Sequence, residues 1–152
     1  MKLAEALILR SDLQKRFEQF KYRLNNNSKI QEGEQPSEQP ADLLKEMDQL
    51  LGQLGLLIQQ INRTNNTVML DDTRTLADAL VDRDILSMRR KALADLAQSA
   101  SIRQDRFTRT EVRFISTVNV AELQREADQL AKTHRELDTR IQELNWLTSL
   151  LD

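Results

Sequence analysis

The stretch NVAELQREADQLAKTHRELDTRIQELNWLTSLL, Asn119 to Leu151, decides the fold. Leu123, Ala127, Leu130, Leu137, Ile141, Leu144 and Leu151 keep helical spacing along it, with His134 and Thr148 on the same line. Such a line is the seam of an antiparallel bundle or coiled coil. Asn119 stands where a cap is needed, and Glu122 three residues later completes a capping-box-like start that satisfies orphan backbone donors. A packed seam serves structural, binding and lytic proteins alike. It sets the architecture and leaves the function open.

The composition agrees with that helix. A chain of 152 residues with only 3 Gly and 2 Pro, rich in Leu, Ala, Glu, Gln, Arg and Lys, is long enough for one domain with a substantial core and favours an all-α fold. A formal charge of −2, from 22 basic and 24 acidic residues, gives no global drive toward nucleic acid or anionic lipid. With 0 Cys there is no disulfide framework, thiol nucleophile or thiolate metal site, which fits a reducing cytoplasm. The opening Met1 to Arg10 is too short and too charged for a signal peptide, because Glu5 and Arg10 interrupt it. No run approaches the roughly 20 apolar residues that span a bilayer. The reading is a cytoplasmic protein with no transmembrane segment, though binding to a membrane surface stays open.

Upstream, the pattern writes a helical hairpin twice. Leu3 to Leu24 is a helix with Leu3, Ala6, Leu13, Phe17, Phe20 and Leu24 on one face and Arg10 among them. Asn25-Asn26-Asn27-Ser28 ends it, and Gln31 to Pro40 is an acidic exposed loop. A second helix covers about Ala41 to Asn65; Gly52 and Gly55 inside it predict the close approach of another helix. Asp71-Asp72-Thr73 caps a third, about Arg74 to Ile102, whose stripe of Leu76, Ala79, Leu86, Leu93, Ala97 and Ala100 is interrupted by Arg83 and Arg90.

The first helix aligns with the third at an offset of 73 residues, and the second with the fourth at an offset of 80. The expected fold is therefore one domain, 1–152, an antiparallel long-helix bundle of two duplicated hairpins (repeat one 1–66, repeat two 73–152). Between the third and fourth helices, alternation of β-branched and aromatic residues predicts a short extended or β segment near 105–118.

Three polar residues fall on seam positions. Arg10 and Arg83 match across the repeat, and each needs a carboxylate or carbonyl partner if buried. His134 is the only histidine, and Ala131 three residues before it removes the Glu-x-x-His pair that a di-metal bundle requires. No metal site is expected. Neither a nucleophilic Ser, Asp and His arrangement nor a glycine-rich phosphate loop exists, so neither catalysis nor a cofactor is expected.

Arg103, Arg106, Arg109 and Arg113, beside Val112 and Phe114, form the candidate interface, with ion pairing as its first role and nucleic-acid binding as an alternative. Trp146 adds a second apolar surface. The expected function is a non-enzymatic structural or protein-interaction role with self-association into a homo-oligomer.

Met1 to Leu7, Gln31-Glu32-Gly33-Glu34, Ile61 to Asn65, Leu76 to Asp84 and Leu123-Gln124 to Asn145-Trp146 together resemble the septicolysin-like family of small bacterial helical proteins. The resemblance spans nearly the whole chain. It implies a compact helical protein of uncharacterised function, and the family label raises a membrane-active, cytolysin-like alternative. No functional residues carry over from it.

Overall fold

A computed structural model describes residues 1–101 and 112–152. Four helices hold 74 % of the described residues, with no sheet among them: α1 (Leu3–Asn26), α2 (Pro40–Thr67), α3 (Leu76–Ala100) and α4 (Val120–Leu147). The chain divides into two compact units, Met1–Met69 with Gln142–Asp152, and Leu70–Ile141.

In the first unit α1 packs on α2. Leu3, Ala6, Leu13 and Phe20 of α1 and Leu43, Leu50, Leu54, Leu57 and Ile61 of α2 are buried, which is the apolar stripe each periodicity demands. At the turn, the Arg23 Nε donates to Glu38 Oε2 at 2.9 Å and a second guanidinium nitrogen pairs with Oε1. That bidentate contact holds the Glu38 carboxyl below its usual range, so the acidic loop is partly neutralised by its own hairpin. Chain ends close the other side. Leu3 N donates to Thr148 O and Leu150 N to Met1 O, both at 3.0 Å, and Lys2 pairs with Ser149 as an antiparallel bridge. Thr64, fully buried, donates to Gln60 O at 2.8 Å and accepts from Leu151 N at 3.0 Å.

The fourth helix therefore stops at Leu147, short of the expected Leu151. Its last residues leave the helix because their backbone donors bond to Thr64 and Met1 instead. Gly52 and Gly55 also depart from expectation: among the described residues a Cβ built on either meets nothing within 4 Å, so no close approach there requires a glycine.

In the second unit α3 and α4 run side by side in opposite directions, with Arg83 joined to Asp138 and Arg89 to Glu126. α3 begins at Leu76 rather than Arg74. Thr75 is its cap, accepting from Asp78 N at 3.1 Å while Asp78 Oδ2 accepts from Thr75 N at 3.0 Å. Asp71 folds the approach instead of capping the helix. Its Oδ1 accepts from the Thr73 and Arg74 backbone at 3.1 and 2.9 Å, and its Oδ2 from the Arg74 guanidinium at 2.7 Å. At α4, Asn119 Oδ1 accepts from Glu122 N at 3.1 Å, the expected cap. The expected extended segment lies partly outside the described residues; its described part, 112–118, is irregular and joins no strand.

Candidate functional site

α3 is the element around which a site can be built, because its two sides have different fates. Its inner side buries Leu76, Ala79 and Ala97. On the other side Val81, Ile85, Met88 and Leu96 are 60, 56, 67 and 43 % exposed, far more than an apolar side chain in a single-domain core would be. With Ala77 and Ala92 they form one line: at about 100° per residue all six fall within an arc of about 100°, roughly opposite the inner side. Scattered apolar residues on a surface need no explanation, but an ordered stripe does.

The seam between α3 and α4 is polar and loosely filled. Arg83 Nη1 donates to Asp138 Oδ1 at 2.9 Å and Arg89 Nη2 to Glu126 Oε1 at 2.6 Å. Arg74 donates to Asp71 and, at 2.9 Å, to Asp82 Oδ2. The Arg74 guanidinium, joined by the Thr73 backbone, pulls the Asp71 carboxyl far below the usual carboxylate range. A cleft of about 540 Å³ opens among Arg74, Asp82, Ile85, Leu86, Glu136 and Arg140. Its charged lining carries both signs in equal number, Leu86 and Leu137 add apolar surface, and exposed Ile85 stands at its outer edge. That lining selects no ion of either charge and places no nucleophile beside a base.

The residues singled out from the sequence occupy different surroundings. Arg83 sits in the α3–α4 seam on Asp138. Arg10, its match on α1, is half-buried, and its Nε is buried with no hydrogen-bond partner among the described residues. His134 is half-buried on α4. Val112, Arg113 and Phe114 are exposed, as is Trp146 beside exposed Leu147. Arg103, Arg106 and Arg109 lie outside the described residues. Sequence reading missed the outer stripe of α3, although its spacing was legible, and missed Thr64, whose role depends on a contact with the far end of the chain.

Among the described residues no group of three or more His, Cys, Asp or Glu could hold a metal ion, and no helix is long and apolar enough to cross a membrane. A crystal structure of a functionally unknown conserved protein from Corynebacterium diphtheriae is similar at 41 % identity, with 99 % of each chain covered and a TM-score of 0.94. No curated protein matches the chain. The septicolysin-like label gains no support from these matches, whereas a helical family of uncharacterised function does. The family model that matches covers residues 10–150, and the chain therefore belongs to DUF6847, a family of unknown function.

Proposed function

We propose that this protein is a non-enzymatic helical interaction protein that acts by associating with itself. One observation carries the reading: a helix already packed on one side holds a second, ordered apolar stripe on the other. Water contact with such a stripe is unfavourable at about 25 cal/mol per Å² of apolar surface, and a second protein surface removes it. Exposed Val112, Phe114 and Ile115 add further apolar area outside the helices, and Trp146 adds more near the end of α4.

The same proposal includes the duplication of the two hairpins. Leu3 and Leu76, Ala6 and Ala79, Leu57 and Leu137, and Ile61 and Ile141 are buried at matching places, which supports descent from one hairpin. Light scattering behind size exclusion over a dilution series tests the self-association. The expected result is a mass above 17.6 kDa that falls toward it on dilution. A mass of 17.6 kDa at every concentration would overturn the reading.

A further inference from the structure

The outer stripe of α3 has an internal symmetry. Its residues, Ala77, Val81, Ile85, Met88, Ala92 and Leu96, are separated by four, four, three, four and four positions, an order that reads the same in both directions. Turning the helix end for end about the midpoint between Leu86 and Ser87 exchanges Ala77 with Leu96, Val81 with Ala92, and Ile85 with Met88. Two copies of α3 packed antiparallel on a twofold axis through that midpoint would set every stripe residue opposite another. In the outer layers a small side chain meets a larger one, which is how facing helices interdigitate.

The charges beside the stripe say which way the second copy lies. At helical spacing Asp82 and Arg89 flank it on one side, and Asp84 and Lys91 on the other. An antiparallel twofold keeps each flank against its own counterpart. Asp82 of one copy then comes within two residues of rise, roughly 3 Å, of Arg89 of the other, and Asp84 within the same interval of Lys91. A parallel twofold would instead set Asp82 beside Asp84 and Arg89 beside Lys91, like against like on both flanks. Asp82, Asp84 and Arg89 already contact Arg74, Arg83 and Glu126 within the chain, yet Asp84 and Arg89 stay largely exposed and Asp82 is half-exposed. Lys91 makes no ion pair among the described residues.

Resting on the self-association proposed above, we infer that the outer face of α3 is an isologous dimer interface whose occupant is α3 of a second copy, antiparallel about Leu86 and Ser87. Isologous contact follows from the geometry, since one self-complementary patch closes on itself and buries both stripes at once.

The chain has no cysteine, so introduced thiols report without background. Val81→Cys combined with Ala92→Cys should yield a disulfide-linked dimer under mild oxidation, because each thiol faces the other residue's thiol on the partner. The two sites lie three turns apart on one helix and cannot bond within a chain. Val81→Cys alone should not cross-link; rapid cross-linking of that single variant would show parallel packing and overturn the inference. Lys91→Asp should weaken dimerisation about tenfold, and adding Asp84→Lys should restore it, a rescue that a folding defect would not produce. A wild type that is oligomeric by light scattering, yet neither cross-links through the double variant nor responds to Lys91→Asp, would overturn this interface and leave self-association standing. A wild type at 17.6 kDa throughout would remove both.

Discussion

The two helical pairs carry similar frames and different fillings. α1 on α2 is closed by large apolar side chains, with Leu13, Phe20, Leu43, Leu50 and Leu54 all buried. α3 on α4 keeps the matching anchors at its ends and fills the middle with alanines and charge: Ala97 and Ala127 are buried there, Arg83 reaches Asp138, and His134 stands where α2 has Leu54. A solvent-open groove of about 350 Å³, lined by Ala94, Ala97, Ala127 and Ala131 together with polar Arg90 and Asp128, lies along it. Both pairs also leave apolar side chains outside, among them Ile8, Tyr22, Leu44 and Leu56 on α1 and α2 and Val81, Ile85, Met88 and Leu96 on α3, so the difference lies in how each pair is filled. The contrast predicts that the better-filled first pair supplies more of the stability, and it leaves α3 the helix proposed above for contact.

The largest test of that contrast uses matched leucines. Leu57→Ala in α2 should destabilise by about 3 to 5 kcal/mol, because a closed core leaves the cavity unfilled. Leu137→Ala in α4, at the edge of the open cleft, should cost only about 2 kcal/mol. Urea unfolding monitored by circular dichroism measures both, and equal costs would erase the distinction.

Matched arginines should respond with opposite signs. The Arg83 and Asp138 side chains are 26 and 38 % exposed, so screening holds the cost of Arg83→Met to about 1 to 2 kcal/mol, below that of a fully buried pair. Arg10→Met removes a buried Nε that lacks a partner and should be neutral or stabilising by up to about 1 kcal/mol. Thermal melting of the two variants beside wild type is the check; a destabilised Arg10→Met would mean its guanidinium is well satisfied.

Gly52→Ala and Gly55→Ala should each raise stability by about 0.5 to 1 kcal/mol, since the new methyl meets nothing and the unfolded chain loses freedom. A loss at either site, measured by the same melting, would reveal a neighbour on that side of α2.

The smallest effect concerns acid. Asp71, Asp78 and Glu38 are held below their ordinary pKa values by Arg74, Thr75 and Arg23 respectively. A depressed carboxylate adds stability above its unfolded value of about 4, and loses it as pH falls through the lower folded value. The melting difference between wild type and Asp71→Asn should be full at pH 7 and shrink below about pH 4. A difference that grows in acid would contradict the assignment.

Helix existence was legible because periodicity and caps are local. Asn119 and the stripes of all four helices could be read without any tertiary contact. Boundaries were less so, for identifiable reasons. Leu150 and Leu151 extend the apolar line of α4 whether helical or not, and what ends the helix is Thr64 and Met1 accepting their amides from far along the chain. Asp71 and Thr75 are both competent caps, and the choice fell to Thr75 because Asp78 sits three residues after it while Asp71 is taken by Arg74. The outer stripe of α3 has the same kind of spacing as the inner one. Which side α4 would cover depends on packing, so only the fold shows that Val81, Ile85 and Met88 are left outside.

Hydrogen exchange followed by mass spectrometry at two protein concentrations, spaced about a hundredfold, tests the division of labour most directly. Raising the concentration should slow exchange in peptides spanning residues 77–96 of α3, where partner contact restrains local opening, and leave the peptides of α1 and α2 unchanged. Exchange that is independent of concentration along α3, or slowing confined to α1 and α2, would contradict the account.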